Sequence, residues 1–319
     1  MEPRPARGSV LRRAALGAVT LTAVLPLPAL AIQASGAPDA RPLAVFAARE
    51  PDGYGARFET RHFVILAHDG VGSRTEIARA GDRAERAHDA LRELLGDERT
   101  PTRKLTIVLE GDGLAGGDLY PHVDASGVIH LYRFTEEFDD HFDSLLHEMV
   151  HAFRRGTGRP WVDGFREEGL AQAIVLALEP PEIHFPLWGY PLDLVAGHLV
   201  ATERDIPLPT LRHMHPQLNL PCRLQSYVQR ASFFEHLTRE FGLDAVISLV
   251  YDRPVGGVDP FVMAFGSTLD ALAEDWREAL LERYRALPDA TGAWTAFRDS
   301  PGGELPICER STLTVGLWL

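Results

Sequence analysis

The stretch DSLLHEMVHAF (residues 143–153) sets His147 and His151 four residues apart, with Glu148 beside the first. On an α-helix, positions i and i+4 share a face, so the two imidazoles project together while Glu148 sits about 100° round the axis. Leu145, Leu146, Met149, Val150 and Phe153 make the rest of the same helix apolar, so it can be buried and still present a polar site. Two neutral imidazoles at this spacing suit one Zn2+, with the adjacent carboxylate able to take a proton from water at the metal without being a ligand. The plain alternative is three polar residues along an ordinary helix. A third ligand decides between the two, because a catalytic zinc needs three protein ligands and an open position.

A candidate follows in RPWVDGFREEGLAQAIVLAL (159–178), where Glu168 stands near the start of another helical run. A carboxylate there completes a two-His, one-Glu set, and Gly169 and Ala171 are small enough to let this helix approach the first. Glu167 competes with Glu168 for the role; Glu168 is preferred because it leads the pattern Glu-Gly-x-Ala. Asp163 and Glu167 are further candidates for orienting a ligand histidine through its second ring nitrogen, against a plain role as solvated charges.

Upstream of this pair of helices the hydrophobic period switches between two and about 3.6. RHFVILAH (61–68), KLTIVLEG (104–111) and GVIHLYRF (127–134) read as strands, and 74–96 reads as an amphipathic helix with Ile77, Ala80, Ala84, Ala87, Leu91 and Leu95 on one side. Downstream the chain is mainly helical, with candidates at 136–155, 164–178, 191–202, 225–241, 243–251 and 268–286, broken by Pro and Gly. The expected fold is α+β: a small strand-bearing N-terminal lobe (56–160) and a helical C-terminal lobe (161–289), with the metal site between them. If 127–134 forms the edge of the sheet, an extended peptide can add to it beside the metal, with His130 facing that groove; a covered edge is the plain alternative.

HEMVHAF followed by RPW and EEGLAQ resembles the gluzincin metallopeptidases, in particular the peptidase MA-like branch related in fold to thermolysin and the zinc aminopeptidases. The similarity extends over about residues 57–285, through RHFVIL, KLTIVL, DIPLPTL, SYVQRASFFEHLTREFG and FVMAFGSTLDALAEDWREALL. It implies a zincin-like domain in which His147, His151 and Glu168 hold one zinc per chain and Glu148 is the general base. It also implies that Tyr227 stands near the scissile carbonyl, where its phenol can stabilise the oxyanion; His236 reads first as a solvated or satisfied histidine and is a minor alternative for that role. The chain departs from the pattern in one respect, for only 16 residues separate His151 from Glu168, fewer than in thermolysin or the aminopeptidases. The activity implied is hydrolysis of peptide bonds in a peptide or protein substrate, as an endopeptidase. An aminopeptidase is disfavoured by the absence of a Gly-x-Met-Glu-Asn segment. A catalytically silent metal-binding or partner-binding module is the reading from a different class, and retention of Glu148 counts against it.

The compartment fits an exported enzyme. Arg4, Arg7, Arg12 and Arg13 precede an apolar run from Ala14 to Ala31, which reads as a signal peptide (1–31) leading to a secreted, periplasmic or cell-envelope protein. An uncleaved membrane anchor is the alternative. Residues 32–55 read as a linker and 290–319 as a tail with no assignable element. Removing residues 1–31 takes away four Arg and one Glu and leaves 28 basic against 44 acidic side chains, a net of −16. A chain this acidic excludes nucleic acid as an expected partner. Cys222 and Cys308, the only cysteines, permit one disulfide, with two unpaired thiols equally open. RHMHP (212–216) places two histidines on different helix faces and argues against a second metal site. His141 reads as a solvated or satisfied histidine, Trp161 and Trp276 read as core, and Arg154, Arg155 and Arg166 read as solvated charges rather than clamps on a substrate carboxylate.

Overall fold

The alternating stretch Phe63–His68 buries Phe63, Ile65 and Ala67 and leaves Val64, Leu66 and His68 half-buried, the period of a strand with one face on a core. In the computed structural model of the chain, the described residues are 54–110, 121–131, 142–159, 162–178, 191–214, 220–253 and 256–299, all within one compact unit. Five strands form one mixed sheet: β1 (Tyr54–Glu59), β2 (Phe63–His68), β3 (Leu105–Leu109), β4 (His122–Val123) and β5 (Ile129–Leu131), in the order β1-β2-β3-β5-β4. β2, β3 and β5 run parallel, and β1 and β4 lie antiparallel on the two outer sides. The expected edge at 127–134 is therefore interior: β5 is flanked by β3 and β4, and the edge nearest the helices is β4, too short to show a period in sequence.

Helix α1 (Arg74–Leu95) connects β2 to β3 and carries Ile77, Ala80, Ala84, Ala87, Leu91 and Leu95 into the core, the face its period predicts. Ser73 and Glu76 form a reciprocal capping box at its start. Gly81 costs helix propensity, and the structure supplies the reason for it. A Cβ there would collide with Phe58 and Thr60, so glycine lets α1 settle on β1.

The rest of the described chain is helical: α2 (Phe142–Gly156), α3 (Gly164–Leu178), α4 (Leu192–Ala201), α5 (Leu208–His213), α6 (Leu220–Phe241), α7 (Leu243–Tyr251), α8 (Pro260–Phe265), α9 (Leu269–Ala286) and α10 (Ala290–Arg298). The fold is thus α+β, with an N-terminal mixed sheet followed by a mainly helical region. α3 and α7 span the expected ranges, and α6 begins five residues before the expected 225. The tail assigned no element contains α10, which packs on α4 through Trp294, stacked on His198 with ring centroids 3.7 Å apart. β1 begins inside the stretch read as linker, because its pattern of half-buried residues is too weak to show a period.

α3 sits at the centre of the helical region, packed against α2, α5, α6 and α7, and is buried nearly all round. Such a helix has no solvent stripe for a periodicity to reveal. The end of α7 is held by three arginines, Arg166 from α3, Arg154 from α2 and Arg159 just after α2: Arg166 donates to the carbonyl of Leu249 (3.4 Å), Arg154 to that of Val250 and Arg159 to that of Tyr251. Cations at the carbonyl end of a helix satisfy its unpaired acceptors and its dipole together.

Arg154 and Arg166 are 2% and 8% exposed, so the reading of both as solvated charges is corrected. Among the described residues no helix is long and apolar enough to cross a membrane. The signal segment, most of the linker, His141, Trp161, Cys308, the side chain of Cys222 and the tail beyond 299 lie outside the described residues.

Candidate metal centre

α2 and α3 pack side by side and bring the predicted ligands together. Leu145, Leu146, Met149, Val150, Ala152 and Phe153 are all fully buried on α2, which fixes the helix's rotation and turns His147 and His151 toward α3. His147 Nε2 lies 3.1 Å from Glu168 Oε2 and 3.3 Å from His151 Nε2, and His151 Nε2 lies 3.8 Å from Glu168 Oε1. Three ligands at 2.0–2.1 Å from a tetrahedral zinc stand about 3.3–3.4 Å apart. The two imidazole nitrogens stand at that spacing, one or other Glu168 oxygen lies within 3.8 Å of each, one atom from each residue can be chosen with all three within 4.8 Å of one another, and all three residues are buried.

Two imidazole nitrogens at 3.3 Å repel unless a proton or a cation lies between them. Burial alone would lower the His151 pKa, but the neighbouring carboxylates of Glu167 and Glu168 outweigh burial and push it up to about 10. Burial likewise opposes ionisation of Glu168, yet bonds from His147 and His151 hold its carboxyl well below the usual range. The group thus concentrates one negative charge and one exchangeable proton in a dry space, and a divalent cation entering that space takes the proton's place. The donor set and its spacing fit a metal ion.

Glu148 is 7% exposed, one residue along from His147. Burial raises its pKa, and His147 and His151 only partly offset the rise. A carboxylate with a raised pKa can hold and release a proton nearer neutrality than a solvated one.

The competition between the two glutamates is decided by direction. Glu168 joins the ligand group. Glu167, fully buried, turns its Oε1 to Arg154 (3.0 Å) and to the backbone N–H of Val162 (3.1 Å), with Oε2 3.9 Å from His151 Nδ1. It lies on the outer-nitrogen side of His151, beyond hydrogen-bond distance. Asp163 takes no such place, since it accepts from the N–H of Arg166 (2.9 Å) at the start of α3 and pairs with the Arg166 side chain (2.8 Å).

The outer nitrogen of His147 meets Gln172, whose amide lies 3.3 Å from Nδ1. With Nε2–H turned to the Glu168 carboxylate, Nδ1 is the bare ring nitrogen and accepts from the Gln172 amide Nε2. Sequence reading passed over Gln172. Its signal was available, since position 172 is one helical turn beyond Glu168 and therefore on the same face.

Gly169 performs a different task from the one expected. A Cβ there would strike the ring of Phe234 on α6, so the glycine admits α6, not α2. α6 in turn brings Tyr227 to the site, its ring centroid 6.3 Å from that of His147. His236, further along α6, is buried among Glu240, Arg283, Asp275 and Arg239 and not among the metal group. Trp276 is core, donating to Ser232 Oγ at 3.1 Å.

On the sheet side, His130 bonds Glu110 (2.9 Å) and stacks on His122 of the edge strand, with centroids 4.9 Å apart. His122 contributes to the electrostatic field at Glu148, so the edge strand reaches the site.

A second group, His62, His88 and Asp89, also gathers ligand-type atoms. The His62 and His88 rings are stacked 3.8 Å apart and 7° from parallel, so their in-plane lone pairs run side by side and do not converge on one ion. His62 is already bonded to Glu85 at 2.7 Å.

Compared with protein-family models, curated proteins and solved structures, the chain matches none.

Proposed function

We propose that the protein is an exported zinc-dependent peptidase of zincin-like fold, acting as an endopeptidase on peptide or protein substrates. The observation that carries this reading is the buried group of His147, His151 and Glu168, its ligand-type atoms converging on one point, with Glu148 beside it. The similarity of HEMVHAF and EEGLAQ to the gluzincin pattern supports the same conclusion, and the basic, then apolar, N-terminus supports export.

A bound zinc ion supplies Lewis acidity toward water and the substrate carbonyl. The protein's own part is to hold and orient. His147, His151 and Glu168 would hold the ion, while Gln172 holds the His147 ring at its outer nitrogen and Glu167 stands on the outer side of His151. Glu148 takes the proton from the attacking water and passes it to the leaving amine, a task suited to a carboxyl whose pKa burial has raised. Tyr227, beside His147, donates its phenolic hydrogen to the oxygen on which negative charge develops.

The test is metal analysis of the purified protein together with a peptide-library cleavage profile of the wild type and Glu148→Gln. About one zinc per chain is expected in both, with cleavage of internal bonds by the wild type and a loss of about 100-fold to 10,000-fold in the variant. Wild type that carries zinc and cleaves nothing would refute the hydrolase. Wild type that binds no zinc would refute the site.

A further inference from the structure

Arg230, on α6 one turn beyond Tyr227, is fully buried, and among the described residues no carboxylate comes within ion-pair distance of it. That distinguishes it from its buried neighbours, since Arg154 has Glu167 at 3.0 Å and Arg166 has Asp163 at 2.8 Å. Its hydrogen bonds are long and go to neutral acceptors: Ser226 Oγ (3.4 Å) and the carbonyls of Leu211 (3.5 Å) and Met214 (3.4 Å). Its Nε has no acceptor. A buried guanidinium held this loosely is costly unless some negative charge elsewhere answers it.

Two of the three groups that answer it are at the candidate metal centre, and the third, Asp163, is the partner of Arg166. The acidic groups that act most on Arg230 are Glu168, Tyr227 and Asp163, in that order. Its guanidinium carbon stands 6.0 Å from the Tyr227 ring centroid, and that ring stands 6.3 Å from His147. Tyr227 is thus a neighbour both of Arg230 and of His147 in the candidate metal group. Once a cation neutralises Glu168, the negative charge left for Arg230 to answer is the charge that builds on the substrate oxygen during attack.

We infer that Arg230 is a positioning residue of this site: a fixed buried cation behind Tyr227 that stabilises developing oxyanion charge through that tyrosine, at the cost of weaker metal binding. The inference rests on the hydrolase reading for its first half only. The simpler role, holding the carbonyl end of α5, needs hydrogen-bond donors but no charge, and the two roles therefore separate by experiment.

The full chain carrying Arg230→Gln keeps a donor and loses the charge, and Arg230→Lys keeps the charge. Zinc affinity is measured by competition with a chromophoric chelator, and kcat and KM on a peptide that the wild type cleaves. Arg230→Gln is expected to bind zinc about three- to tenfold more tightly, because a like charge near the ion is gone. It is expected to lose about ten- to a hundredfold in kcat with KM little changed. Arg230→Lys is expected to stay near wild type in both. Should Arg230→Gln fail to fold, Arg230→Met, of similar length, carries the same expectations.

Zinc binding that weakens in the charge-removing variant, or a lysine variant no better than glutamine, would overturn the inference and leave Arg230 a structural cap. A wild type without hydrolysis on any peptide refutes the hydrolase, and the direction of the zinc-affinity change then still decides whether Arg230 acts on the ion.

Discussion

Replacing Glu167 by Gln tests whether the dry back of the metal centre is held together by charge. In the native protein the carboxylate accepts from Arg154 at 3.0 Å and from the Val162 N–H at 3.1 Å, with both side chains almost wholly excluded from water. An amide of the same shape keeps the Val162 bond and removes the counter-charge, leaving Arg154 buried and unbalanced. Breaking one side of a buried pair costs about 3–5 kcal/mol. Arg154 retains the Val250 carbonyl and the face of Tyr251, 5.1 Å from its guanidinium carbon, so the lower end, about 3 kcal/mol, applies here. Replacing both partners by apolar residues, Arg154→Met with Glu167→Leu, removes the stranded charge and should cost about 1 kcal/mol or less, about 2 kcal/mol less than Glu167→Gln alone. Urea unfolding of the apo-protein measures both variants against the wild type. A single variant that costs under 1 kcal/mol, or a double variant as damaged as the single, would show that the pair is not coupled and refute the argument.

Zinc binding should release a proton from His151, whose metal-free pKa is about 10; only the neutral ring binds, so affinity rises with pH through neutrality, about tenfold per unit. Calorimetry in buffers of different ionisation enthalpy counts that proton, and a count of zero contradicts the assignment. Gly169→Ala drives a methyl group into the Phe234 ring between α3 and α6 and should cost about 1–3 kcal/mol, read as a lowered urea midpoint. No change would mean that these helices are free to separate. Burial, largest among its causes, lowers His88 from 6.5 to about 4, so the folded state refuses a proton that the unfolded chain accepts. Stability present above pH 6.5 is therefore lost as pH falls from 6.5 to 4, by up to about 3 kcal/mol. In His88→Phe that step should be missing from the pH profile of stability, and an unchanged profile would assign the acid step elsewhere.

Much of the scaffold was legible because single elements advertise themselves. α1 shows its buried face at helical spacing, β2 alternates, and α7 ends where Pro and Gly follow. β4, two residues long, and α5 and α8, six each, are shorter than the window over which a period accumulates. The sites of misreading share a cause. Arg154 and Arg166 look like surface charges in a sequence, because the carbonyls of α7 and the carboxylate of Glu167 that make their burial tolerable arrive from other parts of the fold.

The sequence by itself determined that His147 and His151 share one helical face with Glu148 beside them, since a single helix's geometry is local and needs no partner. It also determined that a carboxylate at the start of the next helix would be the candidate third ligand. Only the tertiary structure decided between Glu167 and Glu168, placed Gln172 and Tyr227 against His147, and left Arg230 buried without an acid. Those facts depend on how α2, α3 and α6 pack, and packing is set by side chains far apart in the chain, such as Gly169 against Phe234, whose meeting no local pattern encodes.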